Sequence, residues 1–185
     1  VRACCTVQVL LIIGLVLFDI INGELLKEDT SVNTNQKKNH IELIIIQSKT
    51  SASFKEDAVI KFRESAQDLF NLANNPDDYA ERYNADLIDK VKLFRDSYSK
   101  LAKTFPKIEI RYFYATQGDD VHPNVSGKVP KLQEDIVKMF GGAEFSFEFI
   151  GASELLEMTR NVPSTSRVLE VAESPIGTTA GRHSS

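Results

Sequence analysis

Leu43-Ile44-Ile45-Ile46 is a run of four apolar residues that ends in Gln47-Ser48-Lys49. Side chains alternate between faces along a strand, so such a run is apolar on both faces and asks for cover on both. That is the requirement of a central strand in an α/β sheet. It also poses a chemical question, because Gln47 and Lys49 lie two positions apart and share a face with Leu43 and Ile45. Ile44, Ile46 and Ser48 share the other.

The flanking sequence supplies the cover. Asn22-Gly23, between "LVLFDII" and "ELLKEDT", predicts a tight hairpin of two antiparallel strands ahead of the motif strand, which runs from Ile41 to Gln47. The polar stretch 30–39 reads as a loop. After the motif, Ser53 and Glu56 have capping-box spacing. The helix they open runs to about Leu72, with Ala58, Val59, Phe62, Ala66, Leu69, Phe70 and Ala73 on one face. A second helix carries Leu87, Ile88, Val91, Phe94, Tyr98 and Leu101, with Asn84 as its N-cap and Pro106 beyond its end. "KIEIRYFYA" alternates as a strand. "KLQEDIVKMF" reads as a helix closed by Gly141-Gly142, "AEFSFEFI" as a strand, and "ASELLEM" as a short helix with Ser153 at its start. Beyond Asn161 the chain reads as loop, with a weak strand at 167–172 and a Gly, Thr and Ser tail. Strands alternating with helices imply an α/β sheet sandwiched by helices.

Composition narrows the class without naming it. The 185 residues are 42% apolar and 26% charged, with a net charge of −4. This suits one ordinary globular domain. It argues against a purely electrostatic nucleic-acid-binding module, though not against a nuclease, whose metal ligands are acidic. Adjacent Cys4 and Cys5 cannot form a disulfide framework, and His40, His122 and His183 are too scattered for a zinc cluster, so a reducing, cytoplasmic setting is expected. Arg2 followed by the apolar stretch Val9–Phe18 imitates a signal or anchor. That stretch is shorter than the roughly 20 residues of a membrane span, and a buried strand is the other reading.

The polar pair at the strand tip fits phosphodiester chemistry. Ligand sites in α/β sheets gather where strands open to solvent. The Gln47 side-chain oxygen and the Ser48 backbone carbonyl are candidate ligands for Mg²⁺, which keeps several waters and takes few protein oxygens. Such an ion polarises phosphate and activates water. The Lys49 ammonium would orient that water or stabilise the developing charge. The bland alternative is that Lys49 simply marks the exit of a strand to water.

The wider sequence carries a resemblance. "NGELLKEDT", "IELIIIQSKTSASFKEDAVIKFRESAQDLFNL", "NADLIDKVKLFRDSYSKLAKTFPKIEIRYFYATQGDDVHPNV" and "FSFEFIGASELLEMTRNVPS" together resemble the N-terminal part of the abortive-infection phage-resistance (AIPR) family, from about Asn22 onward. The resemblance implies a bacterial anti-phage protein with a restriction-endonuclease-like domain. Its fold would be a PD-(D/E)xK core, a mixed sheet flanked by helices, acting on nucleic acid, with DNA expected. Gln47-Ser48-Lys49 matches the (E/Q)xK half of that family's site. Residues 22–160 would form this domain. The stretch 161–185 would be a linker or the start of the larger AIPR region.

Residues 1–21 depart from the pattern. The family places an aspartate about seven residues before the turn, and here that position falls near Leu15. Asp19 lies four residues further along the strand, roughly 13 Å away at the usual rise. Three readings follow. Residues 1–21 are an erroneous or displaced N-terminal strand; Asp19 or Glu42 has taken the role; or the chain is a nuclease scaffold without its chemistry, serving as a sensor or interaction domain. Further candidates are Asp119 and Asp120 as ligands or as a turn, and His122 as a base. Tyr112, Phe113 and Tyr114 would stack on bases or fill the core. Lys55, Lys61 and Arg63 would touch phosphates or face solvent.

Overall fold

The computed structural model describes residues 15–28, 32–35 and 38–160, with 15 and 16 described by backbone alone. Five strands form one mixed sheet: β1 (Leu15–Ile21), β2 (Glu24–Leu25), β3 (His40–Ser48), β4 (Lys107–Ala115) and β5 (Glu144–Ile150), in the order β2-β1-β3-β4-β5. β1 pairs antiparallel with β2 and β3, while β3, β4 and β5 run parallel. The helices are α1 (Glu56–Phe70), α2 (Ala85–Leu101), the single turn α3 (Pro123–Ser126), α4 (Val129–Met139) and α5 (Ala152–Arg160). The protein is an α/β fold with a five-stranded mixed sheet flanked by helices.

The hairpin forms where Asn-Gly places it. Asn22 and Gly23 both have positive φ, 53° and 86°, which a tight two-residue connection between twisted strands requires. The Asn22 side chain is also fixed: its Oδ1 accepts from the His40 amide at 2.8 Å and its Nδ2 donates to Asn39 Oδ1 at 3.0 Å. The turn is thereby tied to the start of β3. The returning strand β2 is only two residues long, shorter than "ELLKEDT" suggests.

The expectation of a motif strand covered on both faces is corrected. Burial alternates along β3: Ile41, Leu43, Ile45 and Gln47 are buried, while Glu42, Ile44 and Ile46 are half-buried. The buried face continues through Leu17 and Ile21 on β1 and through Ile108, Ile110, Tyr112 and Tyr114 on β4. The apolar stripes of α1, α2 and α4 join it in one core. The opposite face carries Glu42, which binds Arg111 at 3.1 Å; the Arg111 guanidinium lies 5.0 Å from the Phe113 ring. Periodicity cannot see this, because isoleucine serves equally well on a fully and on a partly covered face.

An aromatic cluster locks α1 to the sheet. The Phe62 ring meets Tyr112 edge-on at 5.1 Å and Phe147 at 5.7 Å, and Phe54 meets Tyr114 and Phe149 in the same way. Edge-to-face pairing adds about 0.5–1.5 kcal/mol per pair to the benefit of burial. Tyr112 and Tyr114 are therefore core residues, and base stacking is not open to them. The expected capping box does not form. α1 begins after Lys55 with no side-chain cap, and the Lys55 amide donates to the Tyr114 hydroxyl at 3.1 Å instead. A tertiary donor–acceptor pair has replaced the local one. α1 ends at Phe70, so Leu72 and Ala73 fall outside it.

Cys4, Cys5, the apolar stretch up to residue 14, His183 and the weak strand at 167–172 lie outside the described residues. Among the described residues no helix is long and apolar enough to cross a membrane.

Candidate functional site

Three parallel strands end on the same side of the sheet, and their loops are stitched together there. The Lys49 amide donates to the Ala115 carbonyl at 2.9 Å, and the Gln117 amide donates to the Ser51 carbonyl at 3.0 Å. Gly118 is required by this closeness, because a Cβ on it would meet the Ala52 carbonyl oxygen at 2.1 Å. In register, Gln47 stands beside Tyr114, whose hydroxyl holds the start of α1. The Tyr114 phenol is pushed above its ordinary pKa, mainly by burial, and stays protonated. The motif tip and the first turn of α1 are thus fixed to each other.

A cavity of about 340 Å³ opens beside this tip. Gln47 and Lys49 line it from β3; Lys61, Phe62, Glu64 and Ser65 from α1; and Arg82, Tyr83, Asn84 and Leu87 from the start of α2 and the turn before it. Gln47 is buried, at 7% exposure, and its Oε1 accepts no hydrogen bond from any described residue. Buried amide oxygens are normally satisfied, so an orphan on a cavity wall is a chemical signal. Lys49 is mostly covered, and its ammonium lies 3.4 Å from Asp57 Oδ2, with Lys61 at 3.8 Å from the same oxygen. Arg82 pairs with Asp68 at 2.8 Å and lies 3.9 Å from Glu64. Asn84 caps α2 by accepting from the Leu87 amide at 2.7 Å, as its spacing predicts.

Two of the residues singled out from sequence, Gln47 and Lys49, therefore meet at one cavity, and Lys61 joins them. The others do not. Asp19 stands opposite Leu43 in the β1–β3 ladder, four positions from the register of Gln47, and does not line the cavity. It is buried with Oδ1 unpartnered among the described residues, and burial pushes its pKa up to about 8. Glu42 sits five residues before Gln47 and is held by Arg111. Asp119 caps α5, accepting from the Ser153 amide and hydroxyl at 2.9 and 2.8 Å, and these bonds hold its pKa below the ordinary carboxylate range. His122 caps α3 through Nδ1, which accepts from the Asn124 amide. Arg63 is engaged by Asp135 on α4, and Lys55 is exposed at the start of α1.

Arg82, Tyr83 and Asn84 were not legible as site residues. They are far from the motif in sequence, and only the packing of α2 beside α1 brings them to β3.

The donor set does not fit Mg²⁺. Gln47 offers one neutral side-chain oxygen, the Ser48 backbone carbonyl is the other oxygen the motif proposes, and the carboxylate among the lining residues, Glu64, lies 3.9 Å from Arg82. Hard divalent cations in hydrolytic sites need carboxylate oxygens, and among the described residues no group of three His, Cys, Asp or Glu side chains converges. Directly across from Gln47 in the ladder, where a carboxylate on β1 would reach the same ion, stands Leu15. Comparisons of the chain with family models, curated proteins and solved structures return no match.

Proposed function

We propose that this chain is the nucleic-acid-engaging domain of an abortive-infection phage-resistance protein, built on the restriction-endonuclease plan, with the Gln47–Lys49 tip facing a phosphodiester. The observation that carries the reading is the convergence of Lys49, Lys61 and Arg82 from three separate segments on one cavity beside the orphaned Gln47 oxygen. Cations from different elements, gathered at the end of a parallel strand, suit a phosphate backbone. The antiparallel hairpin, the parallel β3–β4–β5 run and the helical crossover between β3 and β4 agree with a PD-(D/E)xK core. The four segments from Asn22 onward support the family.

Two forms of this reading differ in chemistry. Metal-dependent hydrolysis needs a carboxylate across from Gln47. Leu15 at that register, and the lack of an acidic cluster among the described residues, favour the second form: a domain that binds nucleic acid as a sensor or interaction module without cutting it. The test is duplex DNA binding by fluorescence anisotropy at low salt, alongside a plasmid-nicking assay with Mg²⁺ and Mn²⁺. Binding that Lys49→Ala weakens, with no nicking, is expected. Metal-dependent nicking that Lys49→Ala abolishes would restore the hydrolytic form. The absence of any binding would remove both.

A further inference from the structure

The cavity beside Gln47 is deeper than phosphate contact alone requires. At about 340 Å³ it falls within the range of small-ligand pockets, with the buried Phe62 and Leu87 behind its charged walls. Its cationic lining residues are Lys49, Lys61 and Arg82, each within ion-pair distance of a carboxylate of Asp57, Asp68 or Glu64. An internal phosphodiester carries a single negative charge. A phosphate monoester carries about −1.5 to −2 at neutral pH, so it competes better than a diester for cations already paired with carboxylates. The pairs of Lys61 with Asp57 and of Arg82 with Glu64 are long, at 3.8 and 3.9 Å, and join side chains more than half exposed, so they exchange readily for a stronger anion. Asn84 and Leu87, at the N-terminus of the 17-residue α2, form part of the cavity wall.

Phosphate alone leaves the Gln47 oxygen unanswered. Gln47 Oε1 is buried, lies on the cavity wall and needs a donor. Phosphate at neutral pH is chiefly an acceptor. A sugar hydroxyl or a base amino group supplies the missing donor, and a nucleotide brings these groups and a phosphate on one small framework.

We propose that this cavity binds a nucleoside monophosphate unit, free or at the 5′-phosphorylated end of a strand, with its phosphate at Lys49, Lys61 and Arg82 and a sugar or base donor on Gln47 Oε1. The inference rests on the nucleic-acid reading above and narrows it to a strand end or single nucleotide. Arg82 and Gln47 have separate parts. Arg82 contributes to affinity for any phosphate, whereas Gln47 distinguishes a nucleotide from bare phosphate.

The experiment is isothermal titration calorimetry on the full chain at low salt with dAMP, inorganic phosphate and deoxyadenosine. dAMP should bind at least tenfold more tightly than either fragment. Arg82→Gln, an exposed and structurally mild change, should weaken dAMP about tenfold. Gln47→Met should bring dAMP down toward the affinity of inorganic phosphate, with circular dichroism checking the fold. Competition by a 5′-phosphorylated oligonucleotide against its 5′-hydroxyl counterpart assigns the source: strong preference for the phosphorylated end identifies a strand terminus, and none identifies the free nucleotide. Inorganic phosphate matching dAMP, or no dAMP binding at all, overturns the proposal. Duplex binding without dAMP binding overturns it while sparing the broader reading, and dAMP binding without duplex binding does the reverse.

Discussion

Leu15 stands directly across from Gln47 in the antiparallel β1–β3 ladder, while Asp19, the acid on the same strand, stands across from Leu43. Directly opposed residues place their Cβ atoms about 4.5–5.5 Å apart, close enough to share one ion. Four residues of strand separate Asp19 from that position, roughly 13 Å. Asn22 fixes this register at the start of β3: its amide donates to the His40 carbonyl at 2.9 Å and its Oδ1 accepts from the His40 amide at 2.8 Å, so a four-residue slip of β1 along β3 would break both bonds.

A carboxylate placed at the register of Gln47 should therefore create a cation site. Leu15→Asp is expected to confer Mn²⁺ binding detectable by calorimetry, and metal-dependent nicking of plasmid DNA, where the parent chain shows neither. A Leu15→Asp chain that remains folded yet binds no metal would show that the β3 tip is not a nuclease half-site.

Lys49 should matter through charge. Lys49→Ala is expected to weaken duplex DNA binding several-fold and to lower the slope of log affinity against log salt by about one, as the loss of one phosphate contact does. Its pair with Asp57 is long, at 3.4 Å, and Asp57 is more than half exposed, so folding stability should fall by no more than about 1 kcal/mol. A salt titration by anisotropy and a urea melt separate the two effects. An unchanged salt slope would place the phosphate elsewhere.

Asp19 should make stability depend on pH. Its folded-state pKa, raised by burial to about 8, lies above its ordinary 3.8, with Lys90 the nearby charge that partly offsets the rise. The folded chain therefore holds a proton that the unfolded chain releases. That stabilisation is complete below about pH 4 and is lost as pH rises toward and through about 8. Relative to Asp19→Asn, the parent chain should lose about 3–4 kcal/mol between pH 5 and pH 8, nearly 1.4 kcal/mol for each pH unit. Parallel stability curves for the two proteins in denaturant across that range would refute the buried, protonated carboxyl.

Phe105 follows α2 in the left-handed region, φ 50°, with its side chain 91% exposed. A non-glycine residue there is strained by roughly 1 kcal/mol, less for asparagine. Phe105→Asn relieves only part of that strain and should raise the Tm by about 1–2 °C, given about 2–4 °C per kcal/mol in a domain of this size. A lowered Tm would mean that the ring makes a contact that its exposure does not reveal.

Phe62 tests the aromatic lock. It is 1% exposed and meets Tyr112 and Phe147 edge-on. Phe62→Ala should cost about 3–5 kcal/mol in a denaturant melt. Because Phe62 also lines the cavity, Phe62→Leu is the milder variant for binding work.

The amino-acid sequence by itself determined the main strands and helices and their order, though not the single turn α3 or the shortness of β2. Asn22-Gly23 specified a positive-φ turn, Asn84 a helix cap, and the spacing of apolar residues the inward faces of α1 and α2; each is a local rule acting within a few residues. Sequence also paired Gln47 with Lys49, because residues two apart in a strand share a face. Only the tertiary structure decided what those residues meet. Arg82 and Asn84 reach the cavity because α2 packs beside α1, and Tyr114 replaces a capping box because β4 lies beside β3. Leu15 rather than Asp19 stands opposite Gln47 in the ladder because the bonds between Asn22 and His40 set how β1 pairs with β3. Local periodicity carries no information about partners dozens of residues away, and the chemistry of this site depends on those partners.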